Sequence, residues 1–358
     1  MSDTIYIDEN EIGIVGDLHL GKHDNEHWFK AYDNLYDWIV KEFRGKVKTI
    51  MFLGDIFDGH KAKTTEKAIS FKMLHYISEF FDNLSSEFNI IMYAGNHCCY
   101  YKDSCKTSAL VLFKNKPNIT VVEETTLLKS SDKTYKIVPW ACDITIGGKV
   151  DGIFGHFDIT TFKLNGFKVS EHGFGSKELL DQCDHVYTGH YHHYQKRFYK
   201  NKKASITYIG SPLQLSWAEA DKKSYIAILD LSKNAISSLI ENTVSPEFKK
   251  VKASDIISKK GVDTNDDVID IIWDIDMNEQ TLIKINDKLE SNGTSSYKHT
   301  FKDKFKSVVG EIADINSGVD IEEIVTIYTK AIVDIEDSDR ETLNTDAIEY
   351  IKRTSFSN

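Results

Sequence analysis

The first hundred residues alternate between short apolar runs and amphipathic stretches, and few folds accommodate that alternation. Residues 11–15, 47–53 and 89–94 are apolar runs of strand length. Between them, residues 28–43 place Trp28, Phe29, Tyr32, Leu35, Tyr36, Ile39, Val40 and Phe43 on one helical face. Residues 65–84 do the same with Ile69, Met73, Ile77, Phe80 and Phe81. Strand, helix, strand, helix, strand predicts a parallel βαβ sheet. In such sheets functional side chains collect beyond the carboxyl ends of the strands.

Each of the three runs ends in a loop rich in Asp, Asn or His: Asp17-Leu18-His19, Gly54-Asp55-Ile56-Phe57-Asp58 and Gly95-Asn96-His97. Two more loops of this kind follow, Gly155-His156 and Gly189-His190-Tyr191-His192. Singly, each has an ordinary reading. Asp17 could be a turn carboxylate, His156 a core histidine, and Asn96 after glycine a turn residue. Together, Asp17, His19, Asp55, Asn96, His156, His190 and His192 offer three oxygen and four imidazole ligands. That exceeds the four ligands of one zinc and fits two divalent ions sharing a carboxylate. The absence of thiolates from the set favours Mn, Fe or Mg over structural zinc.

The order Asp-x-His, Gly-Asp-x-x-Asp, Gly-Asn-His, Gly-His, Gly-His-x-His resembles the calcineurin-like metallophosphoesterases over about residues 11–230. The resemblance implies a four-layer α/β/β/α sandwich. It implies that Asp17, His19, Asp55 and His192 hold one metal, and Asp55, Asn96, His156 and His190 a second. His97 is then free to protonate the leaving oxygen or to bind the transition-state phosphoryl group. Asp17-Leu18-His19-Leu20-Gly21, Val138-Pro139-Trp140 and Tyr208-Ile209-Gly210-Ser211-Pro212 are similar to the SbcD or "Mre-eleven" recombination nucleases. His156-Phe157 and Leu164-Asn165-Gly166-Phe167 fit the phage form of that branch.

Membership of that branch implies Mn-dependent cleavage of DNA ends, single strands and hairpins in recombination and double-strand-break repair. It also implies a homodimer and an SbcC or "Rad-fifty" type coiled-coil ATPase partner. Two positions depart from the cellular pattern. Asp58 stands where a histidine is usual, and Cys98 where an acidic residue is usual. An Asp at the first position orients the catalytic histidine in the phosphoprotein phosphatases, so Asp58 is expected to hold His97. The adjacent Cys98 and Cys99 could make activity oxidation-sensitive, although two inert small residues are the plainer reading. The rival readings are a metallophosphoesterase of phosphoproteins or small phosphodiesters, and a binding module that retains the fold alone. Gly59-His60 stands where a protein phosphatase would carry Arg-Gly.

Beyond residue 119 the pattern turns to short β-type runs, expected to form a second, mixed or antiparallel sheet stacked on the first. A helix is expected over 107–113. The expected domains are a nuclease domain (1–245), a small α/β capping and DNA-binding domain (246–315) and a helical ATPase-binding segment (316–358). Capping boxes at Asp320…Glu323 and Ser338…Glu341 open two helices in that segment.

The net charge of −11 argues against a bulk electrostatic grip on nucleic acid. A local grip remains open. Lys196, Arg197, Lys200, Lys202 and Lys203 alternate with Tyr194, Phe198 and Tyr199, a pattern that also suits a solvated hairpin tip. Five cysteines without a Cys-x-x-Cys pair point to reduced thiols. With no apolar run near ~18 residues and no basic-apolar leader, a cytoplasmic protein with no membrane segment is expected.

Overall fold

The computed structural model describes residues 4–58, 68–130, 132–164, 169–201, 203–220, 222–258, 261–275, 279–301 and 342–345. The chain opens with β1 (Thr4–Ile7), β2 (Glu11–Val15), α1 (Glu26–Phe43), β3 (Thr49–Phe52), α2 (Phe71–Glu87) and β4 (Asn89–Tyr93). A hairpin of β5 (Cys99–Tyr101) and β6 (Ser104–Ser108) precedes a 3-10 turn over Ala109–Phe113 and then β7 (Ile119–Val122). Next come β8 (Thr126–Ser130), β9 (Lys133–Val138), β10 (Gly152–His156), α3 (Ser176–Leu180), β11 (His185–Gly189), β12 (Gln195–Tyr199) and β13 (Ala204–Tyr208). The strands β14 (Tyr225–Asp230) and β15 (Ala235–Glu241) follow.

Two sheets face each other. The first has the order β15-β14-β2-β3-β4-β7, with β2, β3, β4 and β7 parallel. The second, β1-β8-β9-β10-β11-β13-β12, is mixed, with β9, β10, β11 and β13 parallel at its centre. Both faces of the central strands are buried, which is why they read as continuous apolar runs. Alternation then sends successive residues to different cores. Ile12, Ile14, Met51, Ile91 and Tyr93 point between the sheets, against Tyr135, Phe154 and Tyr187. Ile50, Phe52, Ile90 and Met92 point outward under α1 and α2. On the far side, Ile153, Val186 and Ile206 are covered by α3 and irregular segments carrying Phe157, Ile159 and Phe162. The four-layer α/β/β/α sandwich is borne out, with a thin second helical layer.

Several local expectations are corrected. The second helix begins at Phe71, not near 65, because Ser70 caps it by accepting Met73 N–H at 3.1 Å. Residues 65–67 lie outside the described residues. The expected helix at 107–113 is instead the end of β6 and a 3-10 turn, where the Ser108 side chain accepts Leu110 N–H at 3.1 Å. Three runs assigned to the second sheet belong to the first. Residues 119–122 pair with β4, β14 pairs with β2, and β15 pairs with β14.

Beyond Pro246, β16 (Phe248–Lys252), α4 (Ala253–Ile257), β17 (Val268–Trp273), α5 (Glu279–Ser291) and β18 (Ser296–Phe301) form a small parallel sheet with its own core. Phe248 packs on Trp217 and Trp28, with ring centroids 5.2 and 6.2 Å away, and its N–H donates to Gln214 Oε1 at 2.7 Å. The two expected capped helices near the C-terminus lie outside the described residues, apart from helical 342–345.

The two sheets are also pinned by polar contact. Buried Tyr93, at the end of β4, donates its hydroxyl to Gly155 O of β10 at 3.0 Å. Tyr93→Phe is expected to cost about 1 kcal/mol in urea unfolding, the net worth of a typical hydrogen bond. An unchanged midpoint would show that the pin contributes nothing.

Candidate metal centre

All five loops stand at the carboxyl ends of parallel strands: β2, β3 and β4 in one sheet, β10 and β11 in the other. The facing sheets bring those ends together. Close approach explains the glycines. A Cβ at Gly95 would meet the Asp55 carboxylate and the His156 ring, and one at Gly54, where φ is +89°, would meet His156 Nδ1. His19, Asp55 and His190 have φ of 48°, 40° and 97° despite bearing side chains. Such backbone costs on the order of 1 kcal/mol or more per residue and persists only where surrounding packing imposes it.

Ligand atoms converge in two overlapping sets. In one, Asp55 Oδ2 lies 3.1 Å from His156 Nε2, and Asn96 Oδ1 lies 3.0 Å from His156 Nε2 and 2.9 Å from His190 Nδ1. In the other, Asp17, His19 and His192 place one ligand atom each within 4.8 Å of one another. Asp55 Oδ2 also lies 3.7 Å from His19 Nε2, so this one oxygen faces both sets. Its partner Oδ1 accepts the His97 N–H at 2.7 Å. His97 can also be grouped with His19 and Asp55 at ligand distance, and its ring sits edge-on to His19 at 4.6 Å.

Partners behind the imidazoles fix their tautomers. Carbonyl and carboxylate oxygens only accept, so the ring nitrogen facing them carries the proton. His156 Nδ1 donates to Leu53 O at 2.8 Å, His19 Nδ1 to Asp58 Oδ2 at 3.2 Å, and His192 Nδ1 to Glu219 Oε1 at 2.8 Å. In each case Nε2 is turned toward the site. Asp58 Oδ1 also lies 3.3 Å from His97 Nδ1. Asp58 thus lies within ion-pair distance of His97 as well as of His19, and the approach to His19 was not foreseen.

Glu219 is the residue that sequence reasoning missed. Its only local signal is a Ser216…Glu219 capping box, which foretells a helix start and not a partner for His192. Trp140, noted only as part of a motif, stands beside the centre with its ring 5.4 Å from His190 and 5.9 Å from His156.

The residues fit divalent cations. Asp17, Asp55 and Asp58 are all buried, at 0%, 1% and 5% exposure, and buried carboxylates need compensating positive charge. Asp17 Oδ2 and His19 Nε2 are buried with no hydrogen-bond partner among the described residues. Such atoms normally find one, and here both face the candidate centre. Without a cation, protons supply part of the charge. Burial alone would raise Asp55, but the charge and hydrogen bond of His156, with His19 and His97, hold it well below the carboxylate range. Burial opposes protonation of His156, yet Asp55 and Asp17 raise it to about 9. Burial and the His156 charge push His190 down to about 3, and burial lowers His19 against the pull of Asp58. Burial alone would raise Glu219, but the bond and charge of His192, the Leu215 N–H and Lys22 together bring it down to about 2.

Two predictions follow from these partners. A cation at His156 must displace a proton held up to about pH 9. Metal binding should therefore release protons, and affinity should rise by up to about tenfold per pH unit from pH 7 toward that value. Calorimetry in buffers of different ionisation enthalpy measures both, and a pH-independent affinity would contradict the assignment. Asp58→Asn removes a partner of both His19 and His97. It should weaken metal affinity or lower activity by about 10- to 100-fold, read by titration and initial rates.

The profile of the calcineurin-like phosphoesterase family matches residues 11–209. Exonuclease subunit 1 of Enterobacteria phage T4 is 25% identical over 349 residues, which cover 92% of this chain and 95% of the phage protein. A solved structure from Streptococcus pneumoniae TIGR4, of an uncharacterized protein described as a predicted phosphoesterase, covers 65% of this chain and 98% of its own. Its identity is 12% and its TM-score 0.26. The family match spans more than half of the 358 residues, and this chain belongs to the calcineurin-like phosphoesterase family.

Proposed function

We propose that this phosphoesterase is the nuclease subunit of a DNA recombination and repair complex, hydrolysing phosphodiesters with two divalent ions. The observation that carries the reading is the single Asp55 oxygen facing two sets of ligand atoms, with His97 held by Asp58 at the rim. Asp17, His19, Asp55 and His192 would hold one ion, and Asp55, Asn96, His156 and His190 the other. Mn is the favoured metal and Mg the alternative, since the donors are oxygen and imidazole without thiolate. Bound ions supply an activated water and neutralise phosphoryl charge.

The protein's own part is positional. The His97 side chain is 26% exposed, at the edge where a phosphate would arrive, and Asp58 Oδ1 orients its Nδ1. It is assigned to protonate the leaving oxygen or to bind the phosphoryl group at the transition state.

DNA is the proposed substrate, supported by the similarity to a phage exonuclease subunit over most of both chains. A coiled-coil ATPase partner, a homodimer and a cytoplasmic location (the host cytoplasm if the protein is viral) belong to the same reading. So does the division into 1–245, 246–315 and 316–358. Lys196 and exposed Phe198, on the edge strand β12, are candidate DNA contacts.

Purified protein should cleave single-stranded and hairpin DNA with Mn or Mg, and more so with the ATPase from the same genome. His97→Ala should lower the rate at least 100-fold, the usual scale of acid–base catalysis, while metal binding persists. Cleavage of phosphopeptides or nucleotides with no action on DNA would replace this reading with that of a phosphatase or small-molecule diesterase.

A further inference from the structure

Five cysteines are present and none forms a disulfide. Cys98 and Cys99 draw the eye because they follow Gly95-Asn96-His97, but both are buried, and burial pushes the Cys98 thiol up to about 12. Burial pushes Cys183 up to about 12 as well. The remaining two are distant in sequence and meet in space. Cys105 lies on β6, and Cys142 lies on the loop after β9. Their sulfurs are 3.1 Å apart, about 1 Å beyond disulfide bonding distance. Both also approach one backbone acceptor, Glu123 O, at 3.3 and 3.8 Å.

The pair is accessible. It forms part of the wall of an open groove of about 620 Å³, with Lys106, Glu123, Glu124 and Ala141. Cys142 is partly exposed, while Cys105 sits behind it at 7% exposure. The hydrogen bond within the pair favours a thiolate, and at Cys105 it outweighs burial and brings the thiol down to about 7.

We infer that Cys105 and Cys142 form an oxidation site, which a small peroxide converts into an intramolecular disulfide. The Cys105 thiolate attacks one peroxide oxygen. An S–O bond forms, the O–O bond breaks, and hydroxide leaves to be protonated to water. The Cys142 sulfur then attacks the Cys105 sulfenic acid. The S–S bond forms, the S–O bond breaks, and hydroxide leaves with the second thiol proton as water. Two thiols lose two electrons, one peroxide gains them, and two waters result.

The link would bind the β5–β6 hairpin to the loop that carries Trp140. That loop already touches the hairpin through Trp140 Nε1, which donates to Lys102 O at 2.7 Å, and reaches β4's end through Trp140 N–H to Ala94 O at 2.9 Å. A covalent strap would therefore stiffen the wall behind His156 and His190 without using any metal-centre residue. The inference is independent of the nuclease reading, because its readout is covalent.

The test treats the full-length protein with hydrogen peroxide, denatures it in N-ethylmaleimide and maps the peptides by mass spectrometry. The expected result is three alkylated thiols of the five, the peptides of Cys105 and Cys142 joined with loss of two hydrogens, and restoration by dithiothreitol. The thermal midpoint of the oxidised protein should rise by about 5 °C. In Cys142→Ser, dimedone should label Cys105, and in Cys105→Ser no link should form. A link through another pair, over-oxidation without a link, or five free thiols in the treated wild type would overturn the inference.

Discussion

One carboxylate organises this molecule. Asp55 is buried at 1% exposure between His156 and His19, its two oxygens divided between ring nitrogens and the His97 N–H. A charge in that position is tolerable only if several chain segments deliver donors or cations to it at once. The fold meets that condition by ending parallel strands of two sheets at one place. Gly54 and Gly95 then remove the side chains that would hold the segments apart. Tyr93 ties the strand that leads to Asn96 to the strand that ends in His156.

The partners behind the ligands differ in kind, and that difference bears on function. His156 is held by a neutral carbonyl, Leu53 O, whereas His19 and His192 are held by the carboxylates Asp58 and Glu219. A carboxylate behind an imidazole makes it a stronger donor. The set around Asp17 is thus backed by two additional negative charges, and His156, in the set around Asn96, by a neutral carbonyl. Asp58 alone also reaches His97, so the orientation of the rim histidine is tied to that of a candidate ligand. Asp58 is thus a short charged link between the two.

Much of this was legible in the sequence because it is written in local periods. Apolar alternation and helical faces marked β2, α1, β3 and β4, and all seven candidate ligands stood beside or within glycine- and aspartate-rich strand ends. What could not be read is what depends on distant partners. The run at 119–122 has no feature that distinguishes a strand beside β4 from one in the opposite sheet. The choice is made by which hydrogen-bonding edge is vacant. Glu219 lies 27 residues beyond His192 and meets it only because the turn after Ser216 folds back. The start of α2 failed for the opposite reason: a single hydroxyl, Ser70, overruled a helical pattern that extended further back.

The charge balance gives the centre a further property. The chain carries −11 overall, and four buried carboxylates, Asp17, Asp55, Asp58 and Glu219, lie in or directly behind the candidate centre. Lys22, 4.0 Å from Asp58 Oδ2, offsets only part of that local charge. An unloaded centre therefore disfavours a phosphodiester. With the proposed pair of divalent ions and neutral imidazoles, the ions and Lys22 together exceed the charge of Asp17, Asp55, Asp58 and Glu219 by one unit, and the local sign inverts. Metal and phosphate binding are then coupled in one direction, with the cations making the site attractive to substrate. An acidic protein can thus act on a polyanion, provided that attraction is confined to the loaded centre and to short basic edges such as the Lys196–Phe198 stretch.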